Sequence, residues 1–226
     1  MTIRLFSPFL LYNVFALIAL FAISDPLNES HLPIILLSVI FSGICLIWSA
    51  VSYHRYILID DHPGFVFPPL RLKRLISYFG HIIKMLFLLA PFLFLMVFAL
   101  NSIKMDISAF PVLVPVFGIV ISIPIYRLSI ILPAAALGQP LSIRGAWVAT
   151  KGASLSLLGL VLISLLAGII LGLPAFFFGT TTVGLVLAAA WNAVVQIVST
   201  MVGVSILTTL YGFYVEKRPI GTLVPS

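Results

Sequence analysis

Six predominantly apolar stretches of the chain run without a charged residue: Phe6 to Ile23, Leu32 to Tyr53, Met85 to Leu100, Pro111 to Tyr126, Leu155 to Phe178 and Val183 to Tyr211. A helix rises about 1.5 Å per residue, so roughly 20 apolar residues cross a hydrocarbon core of about 30 Å, and these runs come near that length. Their apolar positions are continuous and not alternating, which excludes barrel strands and predicts helices. The third and fourth runs are short and contain proline, so tilting or bending is expected there. The first follows Arg4 and ends in Ala22-Ile23-Ser24, in the manner of a secretory leader. It exceeds the usual apolar length of such leaders, about 7 to 15 residues, and reads better as an uncleaved first span.

Between the runs lie two amphipathic elbows. In the first, from Pro69 to Phe79, Leu72, Leu75, Ile76 and Phe79 recur at helical spacing opposite Arg71, Arg74 and Tyr78. Such a segment, spanning about residues 69–80, is expected to lie in the membrane interface with Arg71, Lys73 and Arg74 toward anionic headgroups. The second, about 140–151, opens with Pro140-Leu141-Ser142-Ile143-Arg144 and matches the first in its Pro-Leu start and basic fifth residue, 71 positions later. His54-Arg55 and Tyr126-Arg127 stand 72 apart, which suggests a tandem repeat of a helical pair plus an elbow. Any basic loop that starts a helix with proline produces a similar pattern, and the two explanations weigh about equally.

Composition agrees with a lipid solvent. The 226 residues are 62% hydrophobic and 8% charged, with a mean hydropathy of +1.26, far above the balance of soluble domains. The net charge of +6 is scattered between apolar runs, which argues against a nucleic-acid partner and for anionic lipid. If all six runs span, 11 of the 12 Lys and Arg fall on one side, leaving Lys104 with Asp25, Glu29 and Asp106 on the other. By the positive-inside rule both termini are then cytoplasmic. The lone Cys45 has no partner in the chain and carries no redox information.

Candidate chemistry is sparse. The six acids all fall in expected loops or at span ends, and no ionisable residue is expected inside a span, so ion coupling through a buried carboxylate is not expected. His54, Arg55, Asp60, Asp61 and His62 form the richest polar cluster. The two histidines are eight apart, which fits no familiar metal spacing, and Asp61-His62-Pro63-Gly64 is more economically a turn. No haem or other cofactor is expected. Arg127 lies inside a longer apolar stretch and either snorkels to the interface or pairs inside the bundle, with snorkelling preferred. Gly168 and Gly172 form a GxxxG that allows close approach of an internal or a partner helix. Asn192 and Gln196, four apart, suit interhelical hydrogen bonds, with a substrate path as the lesser reading.

From Tyr126-Arg127 through Pro133-Ala134-Ala135-Ala136-Leu137-Gly138, then Pro140-Leu141-Ser142, Ala146-Trp147 and Thr150-Lys151-Gly152, the chain resembles a set of bacterial inner-membrane proteins. The set includes the YciC-like proteins and the membrane domain attached to some glycerophosphodiester phosphodiesterases. The resemblance implies an integral-membrane scaffold; the catalytic domain of those phosphodiesterases has no counterpart here, so no activity is implied. The expected architecture is all-α: one domain, 1–226, forming a polytopic bundle of about six spans with two cytoplasmic interfacial helices. The expected function is a non-enzymatic scaffold or accessory protein of the bacterial inner membrane. Its expected partners are lipid, at Arg55, Arg71, Lys73, Arg74, Arg127, Arg144 and Lys151, and a larger membrane protein complex. A permease for an apolar or amphipathic substrate is the alternative.

Overall fold

A computed structural model describes residues 2–22, 32–62, 67–102, 110–179 and 181–218. Among them the chain is helical and contains no strand: α1 (Thr2–Leu5), α2 (Ser7–Ala22), α3 (Leu32–Ile59), α4 (Leu72–Ser102), α5 (Phe110–Ser129), α6 (Ile131–Leu137), α7 (Ile143–Ala149), α8 (Ser154–Phe177) and α9 (Thr182–Tyr214). Five segments are long and apolar enough to cross a membrane: Pro33–Ile59, Leu72–Leu95, Phe117–Leu137, Ser154–Phe177 and Val183–Tyr214. This is the organisation of a multi-pass membrane protein. The first expected span corresponds to α2, whose 16 residues reach about 24 Å, short of the hydrocarbon thickness. Outer faces are strongly apolar, with Phe87 76%, Phe176 84% and Phe177 86% exposed.

Three boundaries differ from the sequence reading, each for a local reason. The second run was expected to end at Tyr53, yet α3 continues to Ile59. No Gly or Pro interrupts residues 53–59, and Leu58 is buried in the core, so the helix has both propensity and packing to continue. The first elbow is not a separate interfacial helix: it forms the opening turns of α4, which runs unbroken from Leu72 into the following span. Tyr78, expected on the polar face, is buried together with Leu75, while Leu72, Ile76 and Phe79 are exposed. The fourth run extends beyond Tyr126 and divides into α5 and α6. Pro133 explains the division, since it lacks the N–H that would bond to Ser129 and its ring crowds that carbonyl. The second elbow is a distinct helix, α7, whose N-cap is Ser142: its side chain accepts from the Gly145 N–H at 3.0 Å.

The best-packed part of the fold is α6. All seven of its residues, from Ile131 to Leu137, are buried, and it packs against α3, α4 and α9. Ala134, Ala135 and Ala136 are fully enclosed, and their small side chains let the longer helices approach closely. Gly138 ends the helix at φ +80°, its N–H bonding to Ala135 O at 3.1 Å while the Gln139 N–H bonds to Ala134 O at 3.0 Å. The Arg74 guanidinium lies where a Cβ on Gly138 would stand. Leu5 and Phe6 are fully buried, and the Phe6 ring meets Tyr53 of α3 at 5.6 Å between centroids.

The α8–α9 hairpin turns through Gly179 at φ +74° and is capped by Thr181, whose hydroxyl accepts from the Gly184 N–H at 3.1 Å. A Cβ on Gly184 would overlap the backbone carbonyls of Phe178 and Gly179, whereas one on Gly168 would meet nothing. Gly184→Ala should therefore destabilise the protein by about 1–3 kcal/mol. Measured as the melting temperature in mild detergent, that loss should be absent from Gly168→Ala; equal behaviour would refute the tight hairpin.

Candidate functional site

The polar side chains of the bundle gather where α3 ends, α4 begins and α6 is enclosed. Asp60 adopts φ +55° just past α3, turning the chain so that the Asp61 carboxylate faces two arginines. Arg55 Nε donates to it at 2.7 Å, and Arg71 Nη2 at 2.8 Å. Arg55 Nη1 also donates to the Ala136 carbonyl at 3.3 Å, placing a cation at the C-terminal end of α6, where the helix dipole favours it. Arg218 Nη2 donates to the Leu58 carbonyl at 2.7 Å and its Nε pairs with Glu216 at 2.6 Å, fastening the chain after α9 to α3. Burial pushes the Glu216 carboxyl above its usual range, against the pull of Arg218.

Deeper in the bundle, His54 is fully buried between α3, α4 and α9. Its Nδ1 lies 2.7 Å from Thr208 Oγ1 and its Nε2 3.3 Å from the Tyr78 hydroxyl. The Thr208 hydroxyl gives its one proton to Val204 O at 2.8 Å. His54 Nδ1–H is therefore the donor to Thr208, which leaves Nε2 to accept from Tyr78. One helical position earlier, the Tyr53 hydroxyl meets Ser205 Oγ at 2.7 Å, so consecutive residues of α3 bind α9. In the same helix Ser49 Oγ is buried with no hydrogen-bond partner among the described residues.

A second buried cation closes the other side. Arg127, at the end of α5, is 9% exposed. Its Nη2 donates to the Trp147 carbonyl at 2.8 Å and its Nε to Thr150 Oγ1 at 3.0 Å. The guanidinium carbon sits 3.8 Å from the centroid of the Trp147 ring. A planar cation thus meets the dipole at the last turn of α7 and the face of an aromatic at once. Thr150 Oγ1 in turn donates to Ala146 O at 2.9 Å, and Gly152 at φ +84° starts the turn into α8.

These positions correct several expectations. Ionisable residues do lie inside spanning segments: His54 falls in Pro33–Ile59 and Arg127 in Phe117–Leu137. Arg127 pairs inside the bundle and does not snorkel, and Arg55 is bound by Asp61 and by the Ala136 carbonyl of α6. Asp25, Glu29, Lys104 and Asp106 lie outside the described residues. His54 and His62 are not brought together, His62 being exposed beside Asp60. Among the described residues no three His, Cys, Asp or Glu converge. Lys73, Arg144 and Lys151 are exposed, as is Arg71 in part.

Gly152 forms the turn before α8. Gly168 and Gly172 receive no close helix, since a Cβ on either meets nothing among the described residues. Asn192 and Gln196 are exposed on α9, and the α8–α9 tie is made by Trp191, whose Nε1 donates to Leu171 O at 2.8 Å. Trp147, Thr150, Tyr78 and Thr208 were not singled out from the sequence as bonding partners. For the first two a signal existed, because they close the segment that begins at Arg127. No family model, curated protein or solved structure matches the chain.

If Arg127 clasps α7 as described, Arg127→Lys and Thr150→Val should each lower stability, and the double variant should lose less than their sum. A coupling of about 1 kcal/mol is expected from thermal or denaturant melts of the four proteins. Strict additivity would show that the two side chains act apart.

Proposed function

We propose that this chain is a non-enzymatic scaffold or accessory protein of the bacterial inner membrane, with both termini cytoplasmic, packing against lipid and a larger membrane protein complex. The observation that carries the reading is how the buried polar groups are used. His54, Tyr78, Thr208, Arg127 and Thr150 each bond to another part of the same fold, so groups that could serve proton transfer are committed to holding helices together. Around that fastened end, the outward faces of α4, α8 and α9 present large apolar side chains, the surface that lipid tails or partner helices cover. The open faces of Gly168 and Gly172 on α8 suit a helix from another polypeptide. The resemblance of residues 126–152 to bacterial inner-membrane proteins points the same way.

One feature favours the alternative of a permease for an apolar or amphipathic substrate. A cavity of about 440 Å³ lies among α3, α4, α5, α6 and α9, reached by Tyr78, Tyr126, Ser129 and Thr200. Asn192 and Gln196 are not among its lining residues.

The readings separate in one experiment. With a tag on the C-terminus, the protein is extracted in mild detergent from its native membrane and the stoichiometric companions are identified by mass spectrometry. A defined complex is expected; recovery with lipid alone would overturn the accessory role and redirect attention to the cavity.

A further inference from the structure

A second concavity opens sideways between α4, α5 and α7. It encloses about 590 Å³, within the range of small-molecule sites, and its walls are aliphatic and aromatic. Leu88 and Phe92 come from α4, Val120 and Pro124 from α5, and Arg144 and Trp147 from α7. Phe92 is 61% and Val120 60% exposed, so the groove faces whatever surrounds the bundle and not its interior. The surface it exposes is wholly apolar, and the charged residue at its border is Arg144 of α7. Lys84, exposed on α4, precedes Leu88 and Phe92 by one and two turns on the same face. No carboxylate lines the groove. The described acids Asp60, Asp61 and Glu216 are engaged with His62, with Arg55 and Arg71, and with Arg218 respectively. Arg144 and Lys84 have no ion-pair partner among the described residues.

We propose that this groove seats an acyl chain of one anionic phospholipid from the surrounding bilayer, with the lipid phosphate held at Arg144 and Lys84. The proposal rests on the membrane reading above and gives it a specific ligand. The chemistry matches on two counts: an apolar trough as solvent for the chain, and cations without a carboxylate partner among the described residues, Arg144 bordering the trough and Lys84 one turn before Leu88 on α4. Trp147, apolar in body and polar at its indole N–H, stands at the junction, a place suited to such a ring. The seat is also pre-formed. Arg127 fixes the Trp147 carbonyl and ring from below, so α7 is held over the groove before any lipid arrives, which lowers the ordering cost of binding.

The test uses the full chain, purified in mild detergent and offered palmitoyl-oleoyl phosphatidylglycerol or the phosphatidylcholine with the same chains. Retained lipids are counted by native mass spectrometry. The wild type should keep one phosphatidylglycerol in clear preference to phosphatidylcholine. Arg144→Gln should lower phosphatidylglycerol retention roughly five-fold and leave phosphatidylcholine unchanged. Val120→Trp should abolish retention of both by filling the groove, with Leu88→Trp from the facing wall as a second version should the first fold poorly. Leu166→Trp, at an exposed position of α8, should change neither. Equal retention of the two lipids, or a filled groove that still keeps phosphatidylglycerol, overturns the proposal. So does a co-purifying polypeptide that excludes the lipid. Because the measurement is made on the isolated chain, failure to recover a partner complex from membranes leaves it standing, and loss of lipid selectivity leaves the partner test standing.

Discussion

Everything at the polar end of this protein is arranged around a seven-residue helix that has no exposed side chain. In a hydrocarbon solvent the apolar effect does not press helices together, so association depends on close van der Waals fit and on satisfied polar groups. The α6 helix supplies the fit. Its run of three alanines admits α3, α4 and α9 to one axis, and Pro133 creates it by separating it from α5. Its end is sealed by Gly138, with Arg74 covering the glycine and Arg55 donating to the Ala136 carbonyl. Enlarging any of those alanines would push apart several long helices at once.

Two polar clasps then tie the remaining elements to that centre. On one side, α3 reaches α9 through Tyr53–Ser205 and His54–Thr208, and reaches α4 through Tyr78. On the other, Arg127 secures α7 and hence the start of α8. Each clasp buries a group that would be costly if left alone and gives it hydrogen-bond partners from another part of the fold. Toward the far ends the fastening thins to the Trp191–Leu171 bond of the α8–α9 hairpin, and the helices expose apolar faces. A fastened polar end joined to an open apolar girdle supports the scaffold role proposed above. At the lateral groove the two parts meet, since α7, fastened by Arg127, borders it and α4 and α5 form its apolar walls.

Much of the helical plan was legible in the sequence because run length and continuity report directly on what lipid demands of a backbone. Leu155 to Phe178 and Val183 to Tyr211 correspond closely to α8 and α9. What escaped was set by tertiary partners. His54 follows Tyr53 at the edge of an apolar run and looks like the start of a loop; only Thr208 and Tyr78, distant in sequence, make it a core residue. Tyr78 was assigned to the polar face of an elbow for its hydroxyl, yet its ring is the part that packs, against His54 at 5.8 Å. Arg127 was expected to snorkel because its charge is visible in the sequence, whereas the carbonyl and hydroxyl that satisfy it, 20 and 23 residues later, are not marked by charge at all. The GxxxG of α8 was expected to allow a close helix approach, but none is made there among the described residues, and the tie across that hairpin comes from Trp191.

The central claim is that α6 holds the bundle together through small side chains that admit no enlargement. Its most direct test is the melting temperature, in lipid nanodiscs, of Ala135→Leu beside Ala167→Leu on the exposed face of α8. Ala135 is completely buried and Ala167 is exposed, so overpacking should cost the first variant about 1–3 kcal/mol or prevent folding, and leave the second near wild type. Two variants that melt alike would contradict the account, because they would place the alanines of α6 in a loose environment and the origin of the bundle's cohesion elsewhere.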